Sequence, residues 1–172
     1  MARTAISFPV ALHAQRAPDL CWMASLLMLE SWFYTVLPNS HRPRAITVAD
    51  HMGLRTIGNP PLAAADLAPF ARYAGLEIVR KQATGAEAFS LLQTFGPLWY
   101  GGSNNGYRNA TLGGHAVVIT GISGADVLIN DPAPNNVGTQ LKMRARDFFA
   151  QLRPFIRPAP FLVIREDSWP RR

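Results

Sequence analysis

Two β-branched runs in the second half of the chain are separated by only three residues. They are His115–Ile122, with the sequence HAVVITGI, and Asp126–Asn130, with the sequence DVLIN. The Ser123-Gly124 pair between them is typical of a tight turn, because glycine adopts left-handed backbone conformations without steric cost. The spacing predicts an antiparallel β-hairpin. A hairpin is marginally stable by itself, so the rest of the chain must supply further strands or helices that pack against it.

Helical patterns dominate the part of the chain that precedes the hairpin. The strongest one runs from about Asp19 to Tyr34, where Pro18 suits a helix start and apolar residues recur three and four positions apart. Two later helical patterns end at a glycine, the residue that most often follows a helix C-terminus. The further predicted helices are Thr47–Leu54, residues 63–74 before Gly75, and Thr84–Phe95 before Gly96.

Strand patterns become more frequent towards the C-terminus. The predicted strands outside the hairpin are Glu77–Gln82, Pro97–Tyr100, Gln140–Met143 and Phe161–Ile164, with a short helix over Arg146–Leu152. The stretch Gly101–Gly114 is rich in glycine and asparagine, and we interpret it as a long flexible loop. Helices followed by antiparallel strands predict an α+β fold, with a helical N-terminal half packed against a C-terminal antiparallel sheet. We expect residues 1–172 to form a single domain.

The composition is that of a folded globular protein, with 48% hydrophobic and 16% charged residues. The single cysteine excludes an internal disulfide, so the chain needs no oxidising compartment. No apolar run is long enough to span a bilayer. The N-terminal stretch up to Ala14 is similar to a short signal peptide, but Pro9 and His13 interrupt its apolar part. We therefore interpret it as part of the folded domain.

The net charge of +6 is concentrated near the C-terminus. Residues 140–172 contain eight basic and three acidic side chains, which accounts for five of these charges. Such a segment attracts an acidic protein or another polyanion, although a solvated basic face explains it equally well. Lys142, Arg144 and Arg146 alternate with uncharged residues, as they would on one face of a strand, so a non-catalytic basic binding module remains an alternative function.

The single cysteine, Cys21, lies in the first turn of the strongest predicted helix. The partial positive charge and free N–H groups of a helix N-terminus favour thiolate over thiol, which makes a thiol at this position more acidic. A lone cysteine beside an apolar helix is also a common core residue. The position of Cys21 alone therefore leaves both interpretations open.

Other polar residues supply the partners that a nucleophilic cysteine needs. His115 follows two glycines at the start of the first hairpin strand, where it can face a cleft and act as a base. Asp131 or Asn130, at the end of the second hairpin strand, returns beside His115 and can accept a hydrogen bond from its ring. The side-chain amide of Gln15 can donate to a developing oxyanion, with the backbone N–H of Cys21 as the second donor. The alternative is structural: a strand histidine with satisfied hydrogen bonds, and an aspartate that begins a turn.

This combination of residues resembles the papain-like cysteine proteases. In that family a glutamine lies six residues before the nucleophile in a Q-x5-C-W pattern, and the histidine lies far downstream in an H-A-V strand. Gln15, Cys21-Trp22 and His115-Ala116-Val117 match this pattern in the same order. The resemblance implies that Gln15 is the oxyanion-hole glutamine, Cys21 the nucleophile, and His115 the base and later the acid.

The chain departs from the plant and lysosomal members of this family, because it lacks their additional cysteines and their Asn-Ser-Trp motif. It looks closer to short bacterial members, which include secreted effector and toxin proteases and the peptidase domains that process bacteriocins. In those groups the third catalytic residue is an aspartate before proline. Asp131-Pro132 fits that pattern, so the resemblance favours Asp131 over Asn130.

The predicted function is that of a cysteine endopeptidase. Because the pattern begins 15 residues into the chain, we expect no inhibitory prodomain before it. We therefore expect a translocated bacterial effector or interbacterial toxin, made in the cytoplasm without a classical signal peptide, that cleaves a host or competitor protein and is restrained by an acidic immunity protein. A leader-peptide peptidase or a peptidoglycan or glutamine amidase of the same fold is an alternative. We expect no cofactor, metal, nucleic-acid partner or membrane partner.

Overall fold

The computed structural model describes residues 5–36, 62–109 and 113–164. Its strands are β1 (Ala5–Ser7), β2 (Leu76–Lys81), β3 (Leu98–Asn104), β4 (Gly114–Ser123), β5 (Asp126–Asp131), β6 (Thr139–Arg144), β7 (Leu152–Pro154) and β8 (Ala159–Ile164). Its helices are α1 (Cys21–Val36), α2 (Leu67–Ala74), α3 (Gly85–Phe95) and α4 (Ala145–Gln151). Short 3-10 turns lie at Pro18–Leu20, Ala64–Asp66 and Tyr107–Asn109.

The eight strands form one antiparallel sheet. The strand order is β2-β8-β3-β4-β5-β6, with β1 paired to β4 and β7 paired to β3. The predicted hairpin is the centre of this sheet: β4 and β5 pair from Ser123↔Asp126 to Val118↔Asn130, with a bulge between Ile119 and Gly121. The α+β fold predicted from the sequence is therefore confirmed.

Both faces of the sheet are buried, because successive side chains of the central strands point to opposite sides. On one face, α1 and α2 pack with Trp99, Val118 and Leu162. On the other face, α3 and α4 pack with Tyr100 and Phe161. The boundary between a helical half and a sheet half is thus less sharp than the sequence pattern predicts, since helices cover both faces.

The helix boundaries follow the local signals in the sequence. Gly75 caps α2 with a left-handed φ of 64°, and Thr84 accepts a hydrogen bond from the backbone N–H of Glu87 at the start of α3. The predicted helix over residues 63–74 is shorter than expected, because its first turn is the 3-10 turn Ala64–Asp66. The predicted helix Thr47–Leu54 lies outside the described residues.

The glycine-rich stretch differs most from its predicted structure. Residues up to Asn104 belong to β3, and a 3-10 turn follows at Tyr107–Asn109, so it is not one long loop. A Cβ on Gly102 would clash with the carbonyl oxygen of Arg153, which shows how closely β7 approaches β3. The glycine thus serves close strand packing rather than loop flexibility.

The N-terminal segment is part of the sheet. Ile6 in β1 pairs with Ile122 in β4, and the buried side chain of Asn130 donates to the carbonyl oxygen of Val10 at 2.8 Å. Neither β1 nor β7 was predicted, because three-residue strands carry too little pattern. Among the described helices, none combines the length and apolar character that a bilayer span requires.

Candidate active site

Cys21 is the first residue of α1, and it directly follows the 3-10 turn Pro18–Leu20. Two hydrogen bonds fix this end of the helix against the sheet. The indole N–H of Trp99 on β3 donates to the carbonyl oxygen of Trp22 at 3.2 Å. The hydroxyl of Ser25, one turn after Cys21, donates to the carbonyl oxygen of Ala116 on β4 at 3.0 Å. These contacts hold Cys21 beside the start of β4, where His115 lies.

His115 lies between Asp131 and Cys21. Its Nε2 atom is 2.8 Å from Oδ1 of Asp131, and its ring is within hydrogen-bonding reach of the Cys21 side chain. Because a carboxylate only accepts, Nε2 carries the proton and Nδ1 is the ring atom that remains for the sulfur. Burial disfavours the charged ring, but hydrogen bonds and charge from Asp131 and Cys21 raise the pKa of His115 to about 9.

Asp131 is fully buried and accepts hydrogen bonds from three groups. Oδ1 accepts from His115 and from the backbone N–H of Ala133 at 2.8 Å, and Oδ2 accepts from Arg108 at 3.1 Å. Burial alone raises the pKa of a carboxyl group, but these donors hold the pKa of Asp131 below its usual value. The carboxylate is therefore ionised and fixed in direction.

Asn130 points away from His115. Its amide donates to the carbonyl oxygen of Val10, and its side-chain oxygen accepts from Gln140 at 3.2 Å. Of the two residues that the sequence offered as partners for the histidine, Asp131 is the one in contact with it.

Gln15 is buried at the junction between the N-terminal segment and the turn after β5. Its Nε2 donates to the carbonyl oxygen of Pro18 at 3.1 Å and to Oδ1 of Asn135 at 2.7 Å. Its backbone N–H donates to the carbonyl oxygen of Pro132 at 2.9 Å. Within the described residues, its Oε1 has no hydrogen-bond partner. Both amide hydrogens are thus occupied, and an oxyanion would have to replace one of these acceptors.

Comparison with known proteins identifies the family of this chain. The family model described as "Papain-like cysteine protease AvrRpt2" matches residues 4–148, which is most of the chain. The chain belongs to this family of papain-like cysteine proteases. It is therefore a thiol hydrolase, as the resemblance of its motifs implies. No curated protein sequence matches it significantly.

Two solved structures share the fold of this papain-like protease. One is a double glycine motif protease from an AMS/PCAT transporter, in complex with the leader peptide. It is 21% identical, with a TM-score of 0.55 and coverage of 91% of each chain. The other is described as a C39-like peptidase from Bacillus anthracis, 14% identical, with a TM-score of 0.56 and coverage of 96% of this chain and 99% of that one. At these sequence identities the comparison shows a shared fold alone.

Cys21 and His115 of the protease both line a small cavity of about 20 Å³. A space of this size holds about one water molecule. Its other lining residues are mostly apolar or aromatic: Trp22, Leu62, Trp99, Gly114, Ala116 and Phe155. Two larger cavities in the described part of the chain, of about 770 and 730 Å³, have neither Cys21 nor His115 in their lining.

Two residues of the site were not predicted from the sequence. The ring of Tyr107 lies 5.8 Å from the ring of His115, centroid to centroid, and is inclined by 33°. Arg108 contacts both Asp131 and the carbonyl oxygen of Ala133, the latter at 2.7 Å. Both residues lie inside the glycine-rich stretch, which we interpreted as a flexible loop. An aromatic and a basic residue within a run of small polar residues could have indicated that this stretch contributes to the site.

The basic residues near the C-terminus are partly neutralised in the structure. Lys142 and Arg144 both lie near Asp126, at 3.6 and 3.5 Å, and Arg146 lies 3.1 Å from Asp147. This pairing lowers the charge that the strand offers to a polyanion. Across residues 5–36, 62–109 and 113–164, no group of three or more histidine, cysteine or acidic side chains is arranged to hold a metal ion.

Proposed function

We propose that this protease is an endopeptidase in which Cys21 is the nucleophile and His115 the acid and base. Asp131 orients His115, and Gln15 donates to the oxyanion. The observation that carries the proposal is the position of His115, which contacts a buried carboxylate at 2.8 Å on one side and the chain's single thiol on the other. Because its pKa is raised to about 9, His115 is an imidazolium at neutral pH and can supply a proton to the leaving amine.

The proposed reaction is transfer of an acyl group to sulfur and then to water. The Cys21 thiolate attacks the amide carbonyl, and the C–S bond forms as the carbonyl oxygen becomes an oxyanion. The C–N bond then breaks while His115 gives its proton to the leaving amine, which leaves a thioester. Water attacks the thioester and gives a proton to His115. The C–S bond breaks, and the thiolate and imidazolium are restored.

Gln15 can take part in these steps if the oxyanion replaces one of its present acceptors. The hydrogen bond from its Nε2 to Pro18 is longer than that to Asn135, at 3.1 Å against 2.7 Å. We expect the Gln15 amide hydrogen that now bonds to the carbonyl oxygen of Pro18 to turn to the oxyanion, because a charged acceptor forms the stronger hydrogen bond. The hydrogen bond to Asn135 then keeps the side chain in place.

The experiment that tests the proposal uses the single thiol. Because Cys21 is the only cysteine, a label that an electrophilic peptide adds to the parent but not to Cys21→Ala lies on this thiol. We expect labelling near neutral pH, and we expect Cys21→Ala to abolish peptide cleavage with an unchanged circular dichroism spectrum. Cys21→Ser is the matched control, since it keeps the shape but removes the thiolate. A Cys21→Ala protein as active as the parent would refute the mechanism.

We further propose that the protease is a translocated bacterial effector or interbacterial toxin that cleaves a host or competitor protein. The support is the resemblance of its short motif pattern, with aspartate before proline as the third residue, to effector and toxin proteases. The net charge of +6 also suits an acidic immunity protein as the inhibitor. Delivery into the target cell completes this proposal.

Expression in the target cell tests this biological role. We expect the parent to stop growth and Cys21→Ala to be harmless at the same protein level. An acidic protein encoded beside the protease should bind it and restore growth. Growth that is unaffected by the parent in bacterial and eukaryotic hosts argues against the toxin role and leaves the peptidase activity untouched.

Leader-peptide cleavage is the second candidate, favoured by one specific observation. One structure of the same fold is a double glycine motif protease that was solved with the leader peptide. Incubation of the pure protein with leader peptides, folded and unfolded proteins, peptidoglycan fragments and glutamine separates the candidates. Cleavage restricted to leader peptides would replace the effector proposal, and release of ammonia or cell-wall peptides would replace both.

A further inference from the structure

Asp131 carries a charge that has no contact with water. Its side chain is 0% exposed, and its oxygens contact Nε2 of His115, the backbone N–H of Ala133 and NH1 of Arg108. A buried carboxylate requires a cation as well as hydrogen bonds, because burial strongly disfavours an unpaired charge. While His115 is protonated, its ring provides that cation.

His115 cannot provide the cation throughout the proposed reaction. Once it has given its proton to the leaving amine, the ring is neutral although it still donates Nε2–H to Asp131. Within the described residues, the remaining cation in contact with Asp131 is Arg108, whose NH1 lies 3.1 Å from Oδ2. An arginine stays protonated at any pH at which the protein is folded.

We propose that Arg108 is the permanent counter-ion of Asp131, a positioning residue that keeps the carboxylate ionised and oriented while His115 is neutral. The inference rests on the proposed function, because the alternation of charge on His115 comes from that mechanism. Arg108 thereby makes it easier for His115 to release its proton. Without it, deprotonation of the ring would leave Asp131 as a buried charge with no cation.

The backbone and the neighbouring contacts hold Arg108 in this place. Its φ of 52° is left-handed, which is unfavourable for a residue with a side chain and requires support from its surroundings. NH1 also donates to the carbonyl oxygen of Ala133 at 2.7 Å, so the guanidinium joins the carboxylate to the turn that follows it. The adjacent Tyr107 is 1% exposed and packs on the ring of His115.

The other titratable groups that face His115 do not replace this cation. Neither Cys21 nor Asp131 can carry a positive charge, since a thiol and a carboxyl group are neutral or anionic. Burial, followed by the charge of Asp131 and a hydrogen bond to it, holds the pKa of Tyr107 well above its usual value. Tyr107 therefore stays neutral and supplies no charge.

The test is the pKa of His115, measured by NMR of the histidine rings in the full chain and assigned with His115→Ala. We expect Arg108→Met to raise this pKa by about one unit, because loss of the cation makes the ring hold its proton more tightly. Arg108→Lys should lie close to the parent. Arg144→Met is the matched control, since Arg144 is an exposed arginine that pairs with Asp126 at 3.5 Å.

Turnover of a fluorogenic peptide gives a second measurement, with active sites counted by electrophile labelling. A ring that is a weaker acid by one unit slows proton donation by up to roughly tenfold, so we expect a lower kcat in Arg108→Met with little change in KM. In the Asp131→Asn background, Arg108→Met should cause no further loss, because a neutral amide needs no counter-ion.

If Arg108→Met fails to fold, the double variant with Asp131→Asn still tests the proposal. Folding restored by Asp131→Asn would support the counter-ion role. Failure of the double variant as well would show that Arg108 acts through the turn at Ala133, and would overturn the proposal. An unchanged or lower pKa of His115 in folded Arg108→Met would also overturn it. This measurement stands even if Cys21→Ala shows that Cys21 is not the nucleophile.

Discussion

Nε2 of His115 lies 2.8 Å from Oδ1 of Asp131, and this contact decides which ring nitrogen can exchange a proton with Cys21. Since the carboxylate holds the proton on Nε2, only Nδ1 remains free to accept a proton from the thiol or from water. The second hydrogen bond to Oδ1, from the backbone N–H of Ala133, prevents the carboxylate from rotating. The His115–Asp131 pair therefore fixes both the tautomer and the direction of the base.

Replacement of Asp131 tests this arrangement. We expect Asp131→Ala to lower kcat by roughly 10²–10⁴-fold, because the ring loses its preferred tautomer and direction. Asn130→Ala is the matched control on the neighbouring residue. It should destabilise the fold by about 1–2 kcal/mol through loss of the hydrogen bonds to Val10 and Gln140, with kcat per labelled site preserved. Equal losses of kcat in both variants would make the assignment of Asp131 wrong.

Gln15 gives a second prediction that separates catalysis from structure. We expect Gln15→Ala to reduce kcat by about 10²–10³-fold, the usual effect of removing one oxyanion donor. The backbone contacts of residue 15 with Pro132 and Asn136 remain in this variant, so the turn should keep its position. Gln140→Ala, which also removes a side-chain amide that donates to an asparagine oxygen, should retain kcat. An active Gln15→Ala protein would assign Gln15 to the junction alone.

The pKa of His115 should fall in a defined order when its partners are removed. The hydrogen bond to Asp131 raises the pKa of His115 more than the hydrogen bond to Cys21 does, and together with the charges they bring it to about 9. We therefore expect the pKa to be highest in the parent, lower in Cys21→Ala and lowest in Asp131→Asn, as measured by NMR of the ring. A pKa in Asp131→Asn that equals that of the parent contradicts the coupling.

The sign of this shift also predicts the pH dependence of activity and of stability. Activity requires the imidazolium, so it should decline as pH rises through about 9, and this limb should move to lower pH in Asp131→Asn. Because the pKa of His115 is raised in the folded state, its contribution to stability is complete below about 6.5 and is lost as pH rises through about 9. Urea unfolding of the parent and of His115→Gln at pH 6 and 9.5 measures this: the difference in unfolding free energy should shrink at the higher pH.

Much of the fold could be predicted because its signals are local. The hairpin, the start of α1 near Cys21 and the glycine cap of α2 each follow from residues that are neighbours in sequence. The proximity of His115 and Asp131 follows from hairpin register, since both lie at the same end of β4 and β5. The catalytic roles of these residues stay predictions until variants are measured.

The parts of the fold and of the site that could not be predicted depend on contacts between segments that are distant in sequence, and no local pattern encodes such contacts. A glycine-rich sequence favours the prediction of a loop. Gly102 instead lies in β3 and pairs with His115 on β4 and with Pro154 on β7, and the close approach of these two strands explains why this position has no side chain. The role of Arg108 could not be predicted for the same reason, because its partners Asp131 and Ala133 lie at the end of β5 and in the turn that follows it. The engagement of both amide hydrogens of Gln15 likewise depends on Asn135, 120 residues away.

The close packing at Gly102 leads to a prediction for stability and activity together. In Gly102→Ala the new Cβ would meet the carbonyl oxygen of Arg153, so β7 must move away from β3. We expect a loss of about 1–3 kcal/mol in unfolding free energy, the usual cost of overpacking. We also expect a lower kcat, because Gly102 is the strand partner of His115.

Gly106→Ala is the control for this substitution, since Gly106 has a φ of +84° and a Cβ added to it would meet no atom within 4 Å. It should cost about 1–2 kcal/mol through its left-handed backbone alone, while kcat per labelled active site stays at the parent value. Thermal or urea unfolding and titrated kinetics compare the two variants. A Gly102→Ala protein with the stability and kcat of the parent would mean that β7 does not pack against β3 as described, and that the glycine there marks a loop after all.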